Sequence, residues 1–344
     1  MPGVSEVSLS LDDGMLRPAA PLVSVIVPVH NHASFVEDSL DSIANSSYPS
    51  LEIVVVNDAS EDDSDAVIRR WIHNHATERV LYIKHEENMG SAKTLNEAIR
   101  IAHGEILCFS SGDDMILPQG IAELTDYLMT NPDKAAVFAD CHVIDEVGRR
   151  IYESGIEGLH RKVGMRKAAL KIDELLAFNI FFHWAVCGPS LMLRKQIFNA
   201  IGFIDEQLAL DDWDLFLKIA ATGKLGFYDR YLGNYRLHER NTSRLHRSRL
   251  RQDGVILGLR YAHSFGGITL LHLAAFRALH RYFESKSRLG KVIYLTNGGA
   301  LFLLSKYIHR AMGILLQLKH KYWGHKVQRH DDLRDRHSSS GHHR

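Results

Sequence analysis

Apolar, largely β-branched residues gather in four short runs early in the chain: Leu22-Val-Ser-Val-Ile-Val-Pro-Val29, Leu51-Glu-Ile-Val-Val-Val56, Val80-Leu-Tyr-Ile83 and Glu105-Ile-Leu-Cys-Phe109. Short continuous runs of this kind predict strands buried on both faces. They begin 29, 29 and 25 residues apart. Each gap holds a stretch of helical spacing, from Phe35 to Ala44, Asp65 to His73 and Ala92 to Ala102. Strand and helix alternating at this interval predict right-handed βαβ units and a parallel sheet over residues 21–130. After Pro132 the pattern is irregular, with strands expected at Ala135 to Ile144 and Ala185 to Leu193. Helices are expected at Ala168 to Phe178 and Asp211 to Ala221. Beyond Arg244 the strands stop, and basic residues interleave with Leu, Ile, Phe and Tyr in an amphipathic helical pattern up to about Trp323. The polar ends, residues 1–20 and 330–344, read as a disordered leader and tail.

Charge divides the chain in the same place. The 344 residues carry 41 basic and 41 acidic groups, but 19 Lys/Arg against 5 Asp/Glu lie from Arg244 onward. An acidic region of net −14 is thus joined to a basic one of net +14. Opposite charge suits two jobs, and the basic one fits nucleic acid or an anionic membrane surface, between which charge alone does not choose. No basic segment followed by an apolar core opens the chain, and no apolar run reaches the roughly 20 residues that span a bilayer. The expected setting is the cytoplasm, either free or attached peripherally to a membrane. Three cysteines at no metal-ligand spacing, Cys108, Cys141 and Cys187, read as buried thiols in a reducing compartment.

Ligands of open α/β sheets bind beyond the carboxyl ends of the strands. Small polar or acidic residues follow all four runs: Pro28-Val-His-Asn31, Asn57-Asp-Ala-Ser60, Asn88-Met-Gly90 and Ser110-Ser-Gly-Asp-Asp114. Taken singly, Ser60-Glu-Asp-Asp63 is equally a helix cap and Asn88-Met-Gly90 an ordinary turn. Their coincidence at successive strand ends favours a binding site. Asp113 and Asp114 are hard oxygen donors suited to Mg²⁺ or Mn²⁺ shared with substrate phosphates. Neither a Walker loop nor a dinucleotide Gly-x-Gly-x-x-Gly is present, which argues against P-loop and nicotinamide enzymes. A nucleoside-diphosphate substrate fits what remains. A second acidic cluster, Asp211-Asp-Trp-Asp214, exceeds what helix capping needs and offers a general base.

These segments together resemble the family 2 inverting glycosyltransferases of GT-A fold. The resemblance rests on Ser24-Val-Ile-Val-Pro-Val-His-Asn31, Val56-Asn-Asp-Ala-Ser60, Asn88-Met-Gly90 with Asn96, Gly104-Glu-Ile and Ser111-Gly-Asp-Asp114 with Pro118. It continues through Gly188-Pro-Ser-Leu-Met-Leu-Arg194, Ile201-Gly-Phe-Ile-Asp205, Asp211-Asp-Trp-Asp-Leu215 and Tyr235-Arg-Leu-His238, in the family's order over residues 22–243. It implies a Rossmann-like, mostly parallel central sheet with a C-terminal helical extension. Residues 21–130 would form the nucleotide-sugar-binding half and 131–243 the acceptor-binding half, with a basic helical region at 244–329.

The same resemblance assigns roles. Pro28, His30 and Asn31 would line the nucleotide pocket, Asp58 would bond the base, and Lys93 and Ser111 would join the donor contacts. Asp113, Asp114 and His238 would meet Mn²⁺ or Mg²⁺ and the diphosphate, although a solvated loop histidine is an equal reading of His238. Gly188, Asp211 and Trp213 would border the substrate, and Asp212 would be the base of a single inverting displacement. His30 stands where an aromatic is usual, Ser111 where the first aspartate of Asp-x-Asp belongs, and Asp211 where Glu is commoner. The implied partners are a UDP- or dTDP-sugar donor and a glycan or lipid-linked acceptor of cell-surface polysaccharide synthesis. The basic region carries no motif of its own and reads either as a helical cap completing the acceptor half or, preferred, as a surface for an anionic membrane. Nucleic acid is not expected, because no binding module accompanies the charge. Two rivals stay open: a nucleotidyltransferase, which would normally show a Gly- and basic-rich loop after the first strand, and a nucleotide-sugar- or glycan-binding protein without turnover.

Overall fold

The computed structural model describes residues 20–75, 79–159, 167–183, 188–208 and 211–241, together with 253–254, 256–258, 260–261 and 264. The expected leader, tail and almost all of the basic region lie outside these residues. Among the described residues, nine strands form one sheet: β1 (Val23–Val29), β2 (Leu51–Asn57), β3 (Val80–Lys84), β4 (Ile106–Phe109), β5 (Met115–Ile116), β6 (Ala136–Ile144), β7 (Arg150–Tyr152), β8 (Leu191–Arg194) and β9 (Leu225–Arg236). The helices are α1 (Val36–Ala44), α2 (Ser64–Asn74), α3 (Ser91–Ile101), α4 (Gly120–Thr130), α5 (Gly155–Leu159), α6 (Asp173–His183), α7 (Phe198–Ile201) and α8 (Asp211–Ala221). The order across the sheet is β3-β2-β1-β4-β8-β6-β9-β5, with β7 on β6.

The four expected strands are β1 to β4, all parallel. Successive side chains of a strand point to opposite faces, and here both faces are covered. Val25, Val27 and Val29 of β1 share one apolar cluster with Leu40 and Ile43 of α1, Ile68 and Trp71 of α2 and Leu124 of α4. Ile26 faces the other way, into a cluster with Ile99 of α3, Ile180 of α6 and Phe216 and Ile219 of α8. This two-sided burial explains the unbroken apolar runs, because neither face has to meet water. Cys108 and Cys141 are buried as expected, and burial pushes the Cys108 thiol up to about 12.

The second half departs from the expected pattern. A 3₁₀ turn occupies Lys167–Lys171 and α6 begins only at Asp173, where a helix was expected from Ala168 to Phe178. The strand expected from Ala185 is β8, which starts at Leu191 after a 3₁₀ turn at Gly188–Ser190. The long β9 pairs parallel with β6 through two register shifts and then antiparallel with β5. That last pairing sets Met115 opposite Asn234 and Ile116 opposite Gly233. It thereby draws the turn after β4 alongside the end of β9.

Candidate active site

Two polar features meet at the carboxyl ends of β1, β2 and β4. The first is an open cleft of about 850 Å³ whose lining includes His30, Asn31, Ser60, Lys84, His85 and Asn88. Its shape is set by Asp58, 4% exposed at the end of β2. Asp58 Oδ1 accepts the Met89 amide at 2.7 Å and lies 2.7 Å from His85 Nδ1, while Oδ2 accepts the Gly90 amide at 2.9 Å. The carboxylate thus pins the loop that leads into α3. His85 Nε2 lies 2.7 Å from Glu97. Burial opposes charge on His85, but the hydrogen bonds to Asp58 and Glu97 outweigh it and raise its pKa.

The strand ends are stapled to one another. Asn31 donates its amide to Ser60 Oγ and accepts the Glu61 amide on Oδ1. The His32 amide donates to Ser64 Oγ and the Ala33 amide to Asp62. Asn31 and Ala59 both hold positive φ, 59° and 52°, a conformation that non-glycine residues accept only when their surroundings impose it. His30 Nδ1 lies 2.7 Å from the Asp58 carbonyl. A carbonyl can only accept, so Nδ1 carries the proton and Nε2 accepts from Asn31 and Asn88, at 3.1 and 3.2 Å.

The second feature is a buried cluster. Asp113 Oδ2 lies 2.8 Å from His238 Nε2 and 3.8 Å from His32 Nε2, and one ligand atom from each of the three residues falls within 4.8 Å of the others. Burial opposes ionisation of Asp113, but the His238 hydrogen bond, the His32 imidazole and a hydrogen bond from Ser111 hold its pKa at about 2. Burial is also the largest influence on His32 and lowers its pKa, favouring the neutral, ligand-ready ring. His238 is fixed by its amide, which donates to Asn241 Oδ1 at 2.7 Å, and by Phe35, whose ring centroid lies 4.9 Å away. One carboxylate oxygen and two imidazoles in this arrangement could hold a divalent cation.

The structure joins some expected residues and separates others. Asp113 and His238 come together, and His30, Asn31 and the loop anchored by Asp58 form the cleft. Asp114 turns away from the cluster. Its Oδ1 accepts the Arg236 amide at 2.9 Å, and burial together with the Asp113 charge pushes its pKa well up. A neutral, inward-facing acid is a poor cation ligand. Arg236 reinforces the joint through Nε to the Asp113 carbonyl and Nη2 to Asp38. Pro28 lies in β1 and accepts the Gly112 amide, and Ser111 accepts from Ser39 Oγ on its carbonyl.

Among the described residues, Lys93, Asp212 and Trp213 belong to neither group. Lys93 is exposed on the first turn of α3, and Gly188 opens the turn before β8. Asp211 starts α8, and half-buried Asp212 accepts the Trp213 amide at 2.7 Å. Trp213 donates its indole N–H to the Ile180 carbonyl and packs on the core. Asp214 is a fully buried hub bound to Lys218, Tyr261 and the Asp205 amide. Sequence reasoning missed His32 and Asn241, whose signals were the His-x-His at the end of β1 and the asparagine three residues after His238.

A cleft and a carboxylate–imidazole cluster thus lie at the strand ends of a doubly wound half-sheet, where open α/β folds bind ligands. The chain belongs to glycosyl transferase family 2, whose model matches residues 24–201. An uncharacterized glycosyltransferase of Rickettsia typhi is 28% identical over 227 residues, 65% of this chain and 66% of its own length. The chain therefore spans just under two thirds of that relative. Another, from Methanocaldococcus jannaschii, is 24% identical over 235 residues, 67% of this chain and 76% of its own. Among solved structures, the mannosyltransferase PcManGT of Pyrobaculum calidifontis, in complex with GDP-Man and Mn²⁺, aligns with a TM-score of 0.57 at 20% identity, over 86% of this chain and 88% of that one. S. aureus TarS 1-349 in complex with UDP-GlcNAc gives 0.56 at 17% identity, over 83% and 79%. The fold is that of the GT-A glycosyltransferases.

Proposed function

We propose that this enzyme moves a sugar from a nucleoside-diphosphate donor, UDP- or dTDP-linked, to a hydroxyl of a glycan or lipid-linked acceptor, with inversion at the anomeric carbon. The observation that carries the reading is the continuity of the two features: Asn31 lines the cleft, and its neighbour His32 belongs to the Asp113–His238 cluster. A nucleoside in the cleft would therefore lead its diphosphate toward the cluster. His30 and Asn31 meet the base, Asp58 shapes the loop beneath it, and Pro28, Lys93 and Ser111 complete the donor side. Asp113 and His238 fit a Mn²⁺ or Mg²⁺ ion, which when bound neutralises the departing diphosphate.

Asp212 takes the proton from the acceptor hydroxyl as that oxygen attacks the anomeric carbon from the opposite face. One displacement needs one base, unlike the carboxylate pair of most glycosidases. Asp211 supports the start of its helix, and Gly188 and Trp213 border the acceptor. The charge division of the chain supports a cytoplasmic enzyme whose basic region rests on an anionic membrane face during cell-surface polysaccharide synthesis. Among the described residues no helix is long and apolar enough to cross a membrane.

The test is thermal stabilisation by a panel of UDP-, dTDP- and GDP-sugars with and without Mn²⁺, followed by NMR of the product's anomeric configuration. PcManGT was solved with GDP-Man and TarS with UDP-GlcNAc, so the panel covers both base classes. Stabilisation by a uridine or thymidine donor and an inverted product are expected. Stabilisation by none of the nucleotides, or a product of retained configuration, would overturn the reading.

A further inference from the structure

We infer that Arg260 and Tyr261, near the start of the basic region, are positioning residues for α8: they clamp its buried Asp214 and so hold the first turn, Asp212 included, where the acceptor hydroxyl is deprotonated. This rests on the proposed role of Asp212 as the base and adds what fixes that base in place.

Asp214 is fully buried, and a carboxylate persists there only when its oxygens are paired and hydrogen-bonded. Oδ2 accepts the Asp205 amide at 3.1 Å and meets Lys218 Nζ at 2.9 Å within α8. Oδ1 accepts the Tyr261 hydroxyl at 3.0 Å and faces Arg260 Nη1 at 3.4 Å. Those two partners lie 47 and 46 residues further along the chain. Burial, with the Asp214 charge beside it, raises the Tyr261 pKa, so the phenol keeps its proton and stays a donor.

The clamp reaches beyond one carboxylate. Arg260 Nη2 lies 2.7 Å from Asp205 Oδ2, so a single guanidinium bridges α8 and the loop before it. In that loop the Ile204 amide and carbonyl are both held by buried Asn96 of α3, at 3.0 and 2.9 Å. The helix that follows the cleft loop Asn88–Gly90 is thereby joined to α8. Across the turn, Trp213 donates to the Ile180 carbonyl of α6. Leu257 is fully buried, and it and Tyr261 pack on the core cluster that holds Phe216. Apolar contact thus docks the segment as well as charge.

Proximity makes the clamp matter to chemistry. Asp212 precedes Asp214 by two residues, about 3 Å along the helix axis. A misplacement of about 1 Å costs on the order of 10²-fold in rate. The amides of a helix's first turn have no intrahelical acceptors, so this is the turn that frays when an anchor is lost.

The experiment uses the full chain carrying Tyr261→Phe, which deletes one hydroxyl, Arg260→Gln or Arg260→Lys. Amide hydrogen exchange is followed by mass spectrometry, and the affinities of UDP, dTDP and GDP by calorimetry. Turnover is read as nucleoside-diphosphate release from UDP-GlcNAc, dTDP-glucose and GDP-mannose, with water as the acceptor. Tyr261→Phe and Arg260→Gln should speed exchange across α8 by roughly fivefold or more while α2 exchanges as in the wild type. Both should lower kcat roughly tenfold with nucleoside-diphosphate affinity unchanged. Arg260→Lys keeps the charge and should recover part of each loss. In an Asp212→Asn background the same substitutions should lower kcat no further, because they act through a base already removed. Arg70→Gln, which breaks an exposed pair with Glu37 on the far side of the sheet's helices, should change none of these readouts. Circular dichroism confirms folding, and Tyr261→Phe keeps its ring on the core should Arg260→Gln unfold.

Unchanged α8 exchange in the folded variants overturns the clamp, whatever the turnover. Full kcat in both, or a further loss on top of Asp212→Asn, overturns the positioning role. These failures leave the transferase reading standing, because the sugar-nucleotide panel and Asp212→Asn alone judge it.

Discussion

Asp58→Asn tests whether the donor cleft is built around one buried carboxylate. Asp58 receives the amides of Met89 and Gly90 and faces His85. The best-placed asparagine keeps its carbonyl on Met89 and His85 and turns its NH₂ toward the Gly90 amide, donor against donor. The Gly90 amide keeps Asn88 Oδ1 at 3.0 Å, so the cost falls on the new asparagine NH₂, and a buried N–H left without an acceptor costs about 1–3 kcal/mol. Loss of the negative charge beside His85 adds to this wherever the imidazole is protonated. The folded-state pKa of His85 is raised, so its contribution to stability is fully present below about 6.5, the unfolded value. That contribution is lost as pH rises through the higher folded value. Urea unfolding at pH 6 should therefore show Asp58→Asn destabilised by about 2–3 kcal/mol, with a smaller penalty at pH 9. A penalty under about 0.5 kcal/mol at pH 6, the scale of an ordinary surface substitution, would refute the anchoring role. An equal penalty at both pH values would refute a charged His85.

Three further outcomes are expected. Asp113→Asn removes the ligand charge at the cluster and should abolish cation-dependent donor binding in calorimetry while the protein remains folded. Asp212→Asn should lower kcat by roughly 10²-fold or more with little change in nucleoside-diphosphate affinity, as loss of a general base does. Asp211→Asn should cost less, and the reverse order in steady-state assays would move the base by one residue. Gly104→Ala would set a methyl 2.6 Å from the Ser24 backbone nitrogen and 2.8 Å from the Leu22 carbonyl. Overpacking against backbone that cannot yield should cost about 1–3 kcal/mol, read as a fall of several degrees in Tm.

How far the fold could be read depended on how local its causes are. The strands β1 to β4 are covered on both faces by helices, so each declares itself as an apolar run without reference to a partner. The helices α1 to α3 have one face to bury and one in water, and their spacing marks them within a residue or two. The second half obeys a different logic. In α6, Leu176, Ile180 and Phe181 are buried within an almost continuously apolar segment, so periodicity cannot locate its ends. In β9, Gly226, Asp229, Arg230 and Gly233 interrupt the alternation, and the two register shifts against β6 disturb it further. Nothing within those twelve residues says strand. The pairing with β6 and β5, more than 80 residues away, says it.

The same distinction governs the site. The first strand ends were visible as polar interruptions of apolar runs, and that sufficed to nominate Asn31, Asp58 and Asp113, whereas His238 was reached only through the family resemblance. Sequence adjacency then misled at Asp113-Asp114. Asp113 lies in the turn closed by the Asp114 amide on the Ser111 carbonyl, and Asp114 leads into β5, so one aspartate reaches His238 while its neighbour is claimed by Arg236. A pair of adjacent acids thus places one carboxylate in the cluster, and the other members come from elsewhere in the chain. One of them is His32, in the loop after β1. The turn at Gly112 approaches that loop from β4, and β9 carries His238 in through its pairing with β5. Three residues from three separate segments converge because of two strand registers and one missing Cβ. That convergence is a property of the packed sheet, so no window of sequence centred on any one of the three could have shown it.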